Sequence, residues 1–276
     1  MGGVRRSRGF PYIALKAFHM ISKSVCLAAT LALSSYQLFA QAKPEDTEFY
    51  TPVPPKVTPG AKCGAAPSDA IVLFDGTNED QWVAASDSAK PADWIVHKGI
   101  LTVNKKGVGN IRTKQSFGNY QLHIEWRVPA NVTGSGQARG NSGVFLASIG
   151  SGDAGYELQV LDNYENKTYT NGQAGSIYKQ SPPLVNASLK PGKWQSYDVI
   201  WTAPVFNTDG SIQTPARVTV LHNGVLVQNN FALLGPTLYI GKPSYKQAHG
   251  PSPIKLQAHG DKSEPLSYRN IWVRPL

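Results

Sequence analysis

The sequence predicts an all-β protein, a sandwich of two antiparallel sheets. β-Branched and aromatic residues recur at period two in about a dozen short runs. Tight-turn pairs punctuate those runs, and no stretch of helical period exceeds about two turns.

The elements follow in order. Ile71–Phe74 is an apolar run closed by Asp75-Gly76. Trp94–His97 and Ile100–Val103 flank Lys98-Gly99, a hairpin signal. Gly109–Thr113 precedes Tyr120–Val128, where Leu122, Ile124, Trp126 and Val128 share one face and Gln121, His123, Glu125 and Arg127 the other. Ser142–Ala147 and Tyr156–Leu161 follow a Gly-rich loop. Trp194–Thr202 comes next, and Ala216–His222 and Val225–Phe231 enclose Asn223-Gly224, the strongest hairpin signal in the chain. Ile254–Ala258 and Tyr268–Pro275 complete the series. Residues 163–192 form a long Asn/Gly/Pro-rich connection, of a length often used for binding.

The two segments with most functional content are Gly140–Ser148 and Tyr156–Asn163. In the second, Tyr156, Leu158 and Val160 point to one face, and Glu157 and Gln159 to the other. A carboxylate beside an amide suits a polar ligand, above all a sugar, better than a core. Ile254–His259 repeats the pattern, with Lys255, Gln257 and His259 facing outward. His259, followed by Gly260-Asp261, is a candidate proton carrier near neutral pH. Glu125 and Arg127 offer a charge-assisted pair on the polar face of Tyr120–Val128.

The N-terminal segment reads as a targeting signal. Arg5, Arg6, Arg8, Lys16 and Lys23 precede an apolar run from Val25 to Leu33, and Ala40-Gln41-Ala42 supplies a cleavage site. Met20 would give a leader of ordinary proportions, so the start is Met1 or Met20. The expected product is exported, periplasmic or extracellular, with no stable membrane insertion, because the apolar run is too short to span a bilayer. Residues 43–69, rich in proline, read as an extended arm or linker, and residues 70–276 as one β-domain.

Cleavage removes five of the 27 basic residues and no acidic one, leaving 22 against 18 and a net charge of +4 rather than +9. No basic cluster with interleaved aromatics remains, which argues against nucleic acid as a partner. Only Cys63 survives, so neither an intramolecular disulfide nor a cysteine-ligated metal site is expected. Gly150-Ser-Gly-Asp-Ala-Gly155 leads into a strand rather than a helix, so it is not a dinucleotide fingerprint. No G-x-S-x-G elbow or H-E-x-x-H pair occurs.

An ordered series of segments resembles the 3-keto-disaccharide hydrolase domain. It comprises Ile71–Gly76 with Trp82, Glu125-Trp126-Arg127, Gly140–Leu146, Tyr156–Asn163, Gly175-Ser-Ile-Tyr178, Gly192-Lys-Trp194, Leu221–Gly224, Leu256–Gly260 and Arg269–Trp272, spread over residues 70–276. The resemblance implies a jelly-roll sandwich of the concanavalin A-like type, a carbohydrate substrate, and cleavage of 3-keto-glycosides. A C3 carbonyl acidifies the C2 hydrogen, so a base can remove it and the C1 aglycone can leave by elimination, with water addition completing net hydrolysis. The paired carboxylates of an ordinary glycosidase strand are absent from Tyr156–Val160. The implied catalytic set is Glu157 or His259 as base or acid, with Glu125 orienting Arg127. Arg127, Asn141, Gln159, Asp162 and Gln257 would bind hydroxyls or the keto oxygen, and Tyr178 would close the site. No cofactor is certain. A divalent ion polarising the keto group would find ligands in Glu125, Glu157 and His259. A non-catalytic carbohydrate-binding module using the same polar face is the alternative, and a structural domain with merely solvated strand faces is a third.

Overall fold

The protein is described by a computed structural model covering residues 42–276. The expected targeting segment, residues 1–42, lies outside these residues except for Ala42. The chain divides into two compact units, Met1–Lys56 and Val57–Leu276. In the first, the described part carries a 3-10 turn at Pro44–Thr47 and exposes Phe49, Tyr50 and Val53. The division falls at Lys56, so residues 57–69 of the expected arm belong to the sandwich unit.

That second unit is an antiparallel β-sandwich. Its larger sheet has eight strands: β1 (Ile71–Phe74), β3 (Ile95–His97), β4 (Ile100–Thr102), β6 (Tyr120–Arg127), β9 (Gln195–Thr202), β12 (Arg217–His222), β13 (Val225–Ala232) and β15 (Ser267–Pro275). They run in the order β13-β12-β9-β6-β15-β4-β3, with β1 also paired to β15. The smaller sheet orders β2 (Trp82–Ala84), β5 (Ile111–Phe117), β14 (Ser252–Leu256), β7 (Ser142–Ser148) and β8 (Gly155–Val160) as β2-β5-β14-β7-β8. A separate ribbon pairs β10 (Val205–Phe206) with β11 (Ile212–Thr214).

All twelve expected strands form. β2, β10 and β11 were not expected, because two or three residues are too few to display a period. β5 runs on to Phe117, past Lys114-Gln-Ser116, whose exposed side chains on a strand near the sheet edge hide the alternation. The Asn223-Gly224 hairpin is as expected: both residues have positive φ, +54° and +78°, the geometry that matches strand twist.

The alternation of β6 and β8 places the core between the sheets. Leu122, Ile124 and Trp126 face Val144, Leu146, Leu158 and Val160 in one buried cluster. The phenolic hydroxyls buried there need partners. Tyr120 on β6 donates to the Leu146 carbonyl on β7 at 2.6 Å, and Tyr197 on β9 donates to the Gln159 carbonyl on β8 at 2.8 Å. Tyr268 on β15 lies 2.6 Å from the Ser142 hydroxyl, which itself donates to the Gln257 carbonyl. Three tyrosines of the larger sheet thus pin the inner side of β7, β8 and the end of β14. Replacing Tyr197 by Phe is expected to cost about 1 kcal/mol in urea unfolding, the net worth of one buried hydrogen bond. An unchanged midpoint would show that the bond contributes nothing.

Candidate active site

The outer face of the smaller sheet carries the cleft. In the register of β14, β7 and β8, Lys255 lies opposite Phe145, and Phe145 opposite Glu157. The next outward row places Gly143 opposite Gln159, with the backbone N–H of Gln257 donating to the Gly143 carbonyl. Directly paired residues share a face. The period-two patterns of β8 and β14 therefore bring Glu157, Gln159, Lys255 and Gln257 together although they are about 100 residues apart in sequence.

Gly143 is what gives Glu157 its place. A Cβ on Gly143 would lie 2.6 Å from Glu157 Oε1, so the carboxyl group leans across the space that a side chain would fill. Glu157 is 6 % exposed. Burial, reinforced by the negative charge of Asp153 and opposed by Lys255, pushes its pKa up to about 8. Lys255 is fully buried and its pKa is pushed down to about 8 by the same loss of water, against the pull of Asp153 and Glu157. Its ammonium donates to the carbonyls of Gly152 and Ala154 at 2.7 and 2.9 Å and sits 4.1 Å from the Phe145 ring centroid. Lys255 thereby ties down the turn that carries Asp153 at the cleft margin.

At the other end stands His259. Its Nδ1 lies 2.8 Å from Asp261 Oδ2. Asp261 is buried, which alone would raise its pKa, but hydrogen bonds from His259 and Ser263 and the charge of Lys105 hold it well below the usual carboxylate range. The Asp261 N–H also lies 3.2 Å from Nδ1, but the shorter contact to an ionised carboxylate, which only accepts, places the proton of the neutral ring on Nδ1 and leaves Nε2 an acceptor. Asn141 Nδ2, a donor, lies 3.4 Å from that Nε2. Gln159 Nε2 donates to Asn141 Oδ1 at 3.1 Å and to Gln137 Oε1 at 3.2 Å, linking the cleft floor.

These groups line a cleft of about 610 Å³, a size suited to a small ligand. Two acceptors in its floor, Gln159 Oε1 and Gln257 Oε1, are buried without hydrogen-bond partners among the described residues. Buried amides left unpaired are costly, and a ligand rich in hydroxyl donors would satisfy them. The long connection supplies one wall: the N–H of Tyr178 donates to the Glu157 carbonyl at 3.1 Å, so the loop extends the sheet past β8.

Of the residues expected from sequence, Glu157, His259, Asn141, Gln159, Gln257 and Tyr178 meet in this cleft. Glu125 and Arg127 do not. β6 belongs to the other sheet, and its polar face looks away from the cleft. There Glu125 accepts from Arg269 Nε at 2.6 Å and Asn270 Nδ2 at 2.8 Å. Asn270 and the Trp272 indole also donate to the Gly64 carbonyl, so this face holds the chain's own residues 57–69. Arg127 stacks on the Trp194 ring at 4.5 Å and does not pair with Glu125. Asp162 is also displaced: its carboxylate accepts from Arg139 Nε at 2.6 Å and from the Tyr164 N–H at 3.2 Å, beside a neighbouring depression. The trio Glu125, Glu157 and His259 cannot hold a divalent ion, because Glu125 lies on the far sheet. No group of three or more His, Cys, Asp or Glu residues among the described residues is arranged to hold one.

Sequence reasoning missed Gln137, Asp153, Tyr169, Lys179, Thr237 and Tyr239 as lining residues. All lie in turns or irregular segments, where no period marks the inward side. Asp261, two residues after His259, and Lys255, on one strand face with Gln257, are legible in the sequence, but their roles are not.

A family model for a 3-keto-alpha-glucoside-1,2-lyase-like domain matches residues 69–274. A candidate glycosyl hydrolase from Parabacteroides distasonis is 54 % identical in sequence with a TM-score of 0.79, over 86 % of this chain and 98 % of that one. A second candidate glycosyl hydrolase from the same organism shares the fold at 18 % identity and a TM-score of 0.55, over 75 % of this chain and 94 % of that one. A comparison with curated proteins gives no match. No helix among the described residues is long and apolar enough to cross a membrane. The sandwich is concanavalin A-like, its polar cleft fits a carbohydrate-active protein, and the chain belongs to the 3-keto-alpha-glucoside-1,2-lyase-like domain family.

Proposed function

We propose that the protein is an exported enzyme that cleaves the glycosidic bond of 3-keto-glycosides by C2 proton abstraction and elimination, followed by hydration. The observation that carries this reading is the division of labour in the cleft. His259, backed by Asp261, offers an unprotonated nitrogen, while Glu157, buried and pushed up to about 8, keeps its proton at neutral pH. A carboxylic acid that keeps its proton and an imidazole nitrogen held as an acceptor can divide the roles of acid and base.

In the proposed sequence, His259 Nε2 takes the C2 proton, and the electrons of that C–H bond pass into the C2–C3–O system as an enolate. The Nε2 of Gln257, a donor, would hold the keto oxygen, and the buried Oε1 atoms of Gln257 and Gln159 would accept from sugar hydroxyls. The enolate then expels the C1 oxygen, forming the C1–C2 double bond, and Glu157 gives its proton to the departing oxygen. Water adds at C1 and returns a proton to Glu157. The imidazolium of His259, whose side chain is 34 % exposed, exchanges its proton with water before it protonates C2, which completes net hydrolysis. If product leaves before water adds, the outcome is an unsaturated sugar. A route without a keto group would need a pair of carboxylates flanking the bond. Asp153 shares the cleft with Glu157 but is tied to Asn110 Nδ2 at 2.8 Å.

Glu157→Gln is expected to lower kcat by about 10²–10⁴-fold, the usual worth of a placed proton donor. The loss should be largest for poor leaving groups and shrink for a nitrophenyl aglycone. Because Glu157 acts protonated, wild-type kcat should fall as pH rises above about 8. A rate that climbs through that pH would make Glu157 the base instead, and full turnover by the variant would remove it from the chemistry. Cleavage of an ordinary glycoside as fast as its 3-keto counterpart would contradict the elimination route. Binding of the sugar without any turnover would favour the carbohydrate-binding module.

Gly143→Ala would drive Cβ into Glu157 Oε1 and displace the carboxyl group. The expected result is a loss of about 10–100-fold in kcat, matching a clash of 1–3 kcal/mol, with the fold retained by circular dichroism. Unchanged kcat would show that the position of Glu157 is not critical. For export, intact-mass measurement of protein from the cell envelope should find the chain starting at Lys43. Full-length chain in the cytoplasm would contradict it.

A further inference from the structure

The wall beside Glu157 has a chemistry unlike the cleft floor. Tyr169, Tyr178 and Tyr239 gather around Lys179, whose ammonium lies 5.3, 5.9 and 4.5 Å from their ring centroids. Lys179 holds a left-handed backbone, φ +60°, a conformation costly for a residue with a side chain, and its N–H donates to the Asn171 carbonyl at 2.8 Å. Its Nζ also donates to the Tyr239 carbonyl at 3.0 Å. Tyr239 is 71 % exposed and Tyr169 40 % exposed, and all four residues line the same cleft as Glu157 and His259.

Some of the polar atoms of this wall are spent within it. The hydroxyls of Tyr169 and Tyr178 bond to each other at 2.6 Å, and the Tyr239 carbonyl is taken by Lys179. What remains toward the cleft is ring surface, backed by a cation with N–H groups to spare. The floor, by contrast, offers buried amide acceptors without partners. A ligand that satisfies both ends has a hydroxyl-rich half and a flat, apolar half.

We propose that Tyr169, Tyr178, Tyr239 and Lys179 form a subsite for an aromatic aglycone, so that the preferred substrates are aryl rather than alkyl or disaccharide 3-keto-glycosides. This rests on the reading above for the sugar half, and adds the class of leaving group. The ring would stack on Tyr239, and the Lys179 ammonium would face the phenolic oxygen as it departs. A second sugar fits this wall less well, because three clustered rings present apolar surface where its hydroxyls need partners.

The test compares 3-keto-glucosides that differ only in aglycone, phenyl, methyl or glucosyl, in the full protein and in Tyr239→Ala. The exposed site of this substitution keeps folding intact, which thermal unfolding checks. The wild type should favour phenyl over methyl by about tenfold or more in kcat/KM, and the variant should reduce that ratio by roughly fivefold, the scale of one aromatic contact. A glucosyl preference, or a phenyl-to-methyl ratio unaltered by the substitution, would overturn the proposal. A second arm separates it from the catalytic reading. Saturation-transfer NMR with non-keto phenyl glucoside should show transfer to the ring protons in the wild type and a several-fold loss in Tyr239→Ala. If no 3-keto-glycoside turns over but this contact holds, the catalytic reading fails and the aromatic subsite stands. If the ring receives no transfer, or equal transfer in both proteins, the subsite fails whatever the catalytic result.

Discussion

The structure depends on the pinning of β7 and β8 from behind. A strand can present polar side chains on one face only if its other face is held in fixed register, because a slip of one residue would exchange the two. Tyr120, Tyr197 and Tyr268 supply that constraint from the opposite sheet, each through a hydroxyl bound to a group of β7 or β8 inside the core. The apolar half of β8, Tyr156, Leu158 and Val160, is fully buried beside them. Glu157 and Gln159 are thereby committed to the outer face. The chemistry of the cleft is a consequence of packing on the side that faces away from it.

The same constraint explains how a carboxyl group comes to keep its proton. Glu157 is buried on the outer face of its sheet because Phe145 lies beside it, Gly143 leaves room for it, and the long connection closes the edge of β8 above it. The cation that opposes this shift, Lys255, commits hydrogen bonds to two backbone carbonyls. Desolvation therefore outweighs charge pairing, and the neutral acid is favoured. His259 is in the opposite position. Asp261 is surrounded by donors from His259, Ser263 and Lys105, stays ionised, and keeps the imidazole in one tautomer.

Much of this could be read in the sequence, and the limit of that reading is physical. Period two fixes which side chains share a face, so the polar sets on β6, β8 and β14 were all legible. It does not say which sheet a strand joins. β8 and β14 lie in one sheet with β7 between them, whereas β6 lies in the other, so Glu125 and Arg127 shared a pattern with the site without sharing its place. Strand membership is set by long-range pairing that one strand's own sequence does not encode. The Tyr169, Lys179 and Tyr239 wall was invisible for a different reason. Those residues reach the cleft through irregular backbone, where no repeat relates position in the chain to direction in space. Asp162 sits two residues beyond the end of β8, where alternation stops, and its carboxylate turns to Arg139 instead.

The central claim is that the bond at C1 breaks only after the C2 hydrogen has left. The most direct measurement is cleavage of a 3-keto-glucoside in D₂O, with the C2 position of the first-formed product read by NMR before spontaneous exchange. Elimination followed by hydration predicts deuterium at C2 in every product molecule, or a C1–C2 double bond if the intermediate escapes. Product that retains protium at C2 would contradict the account and require direct displacement at C1.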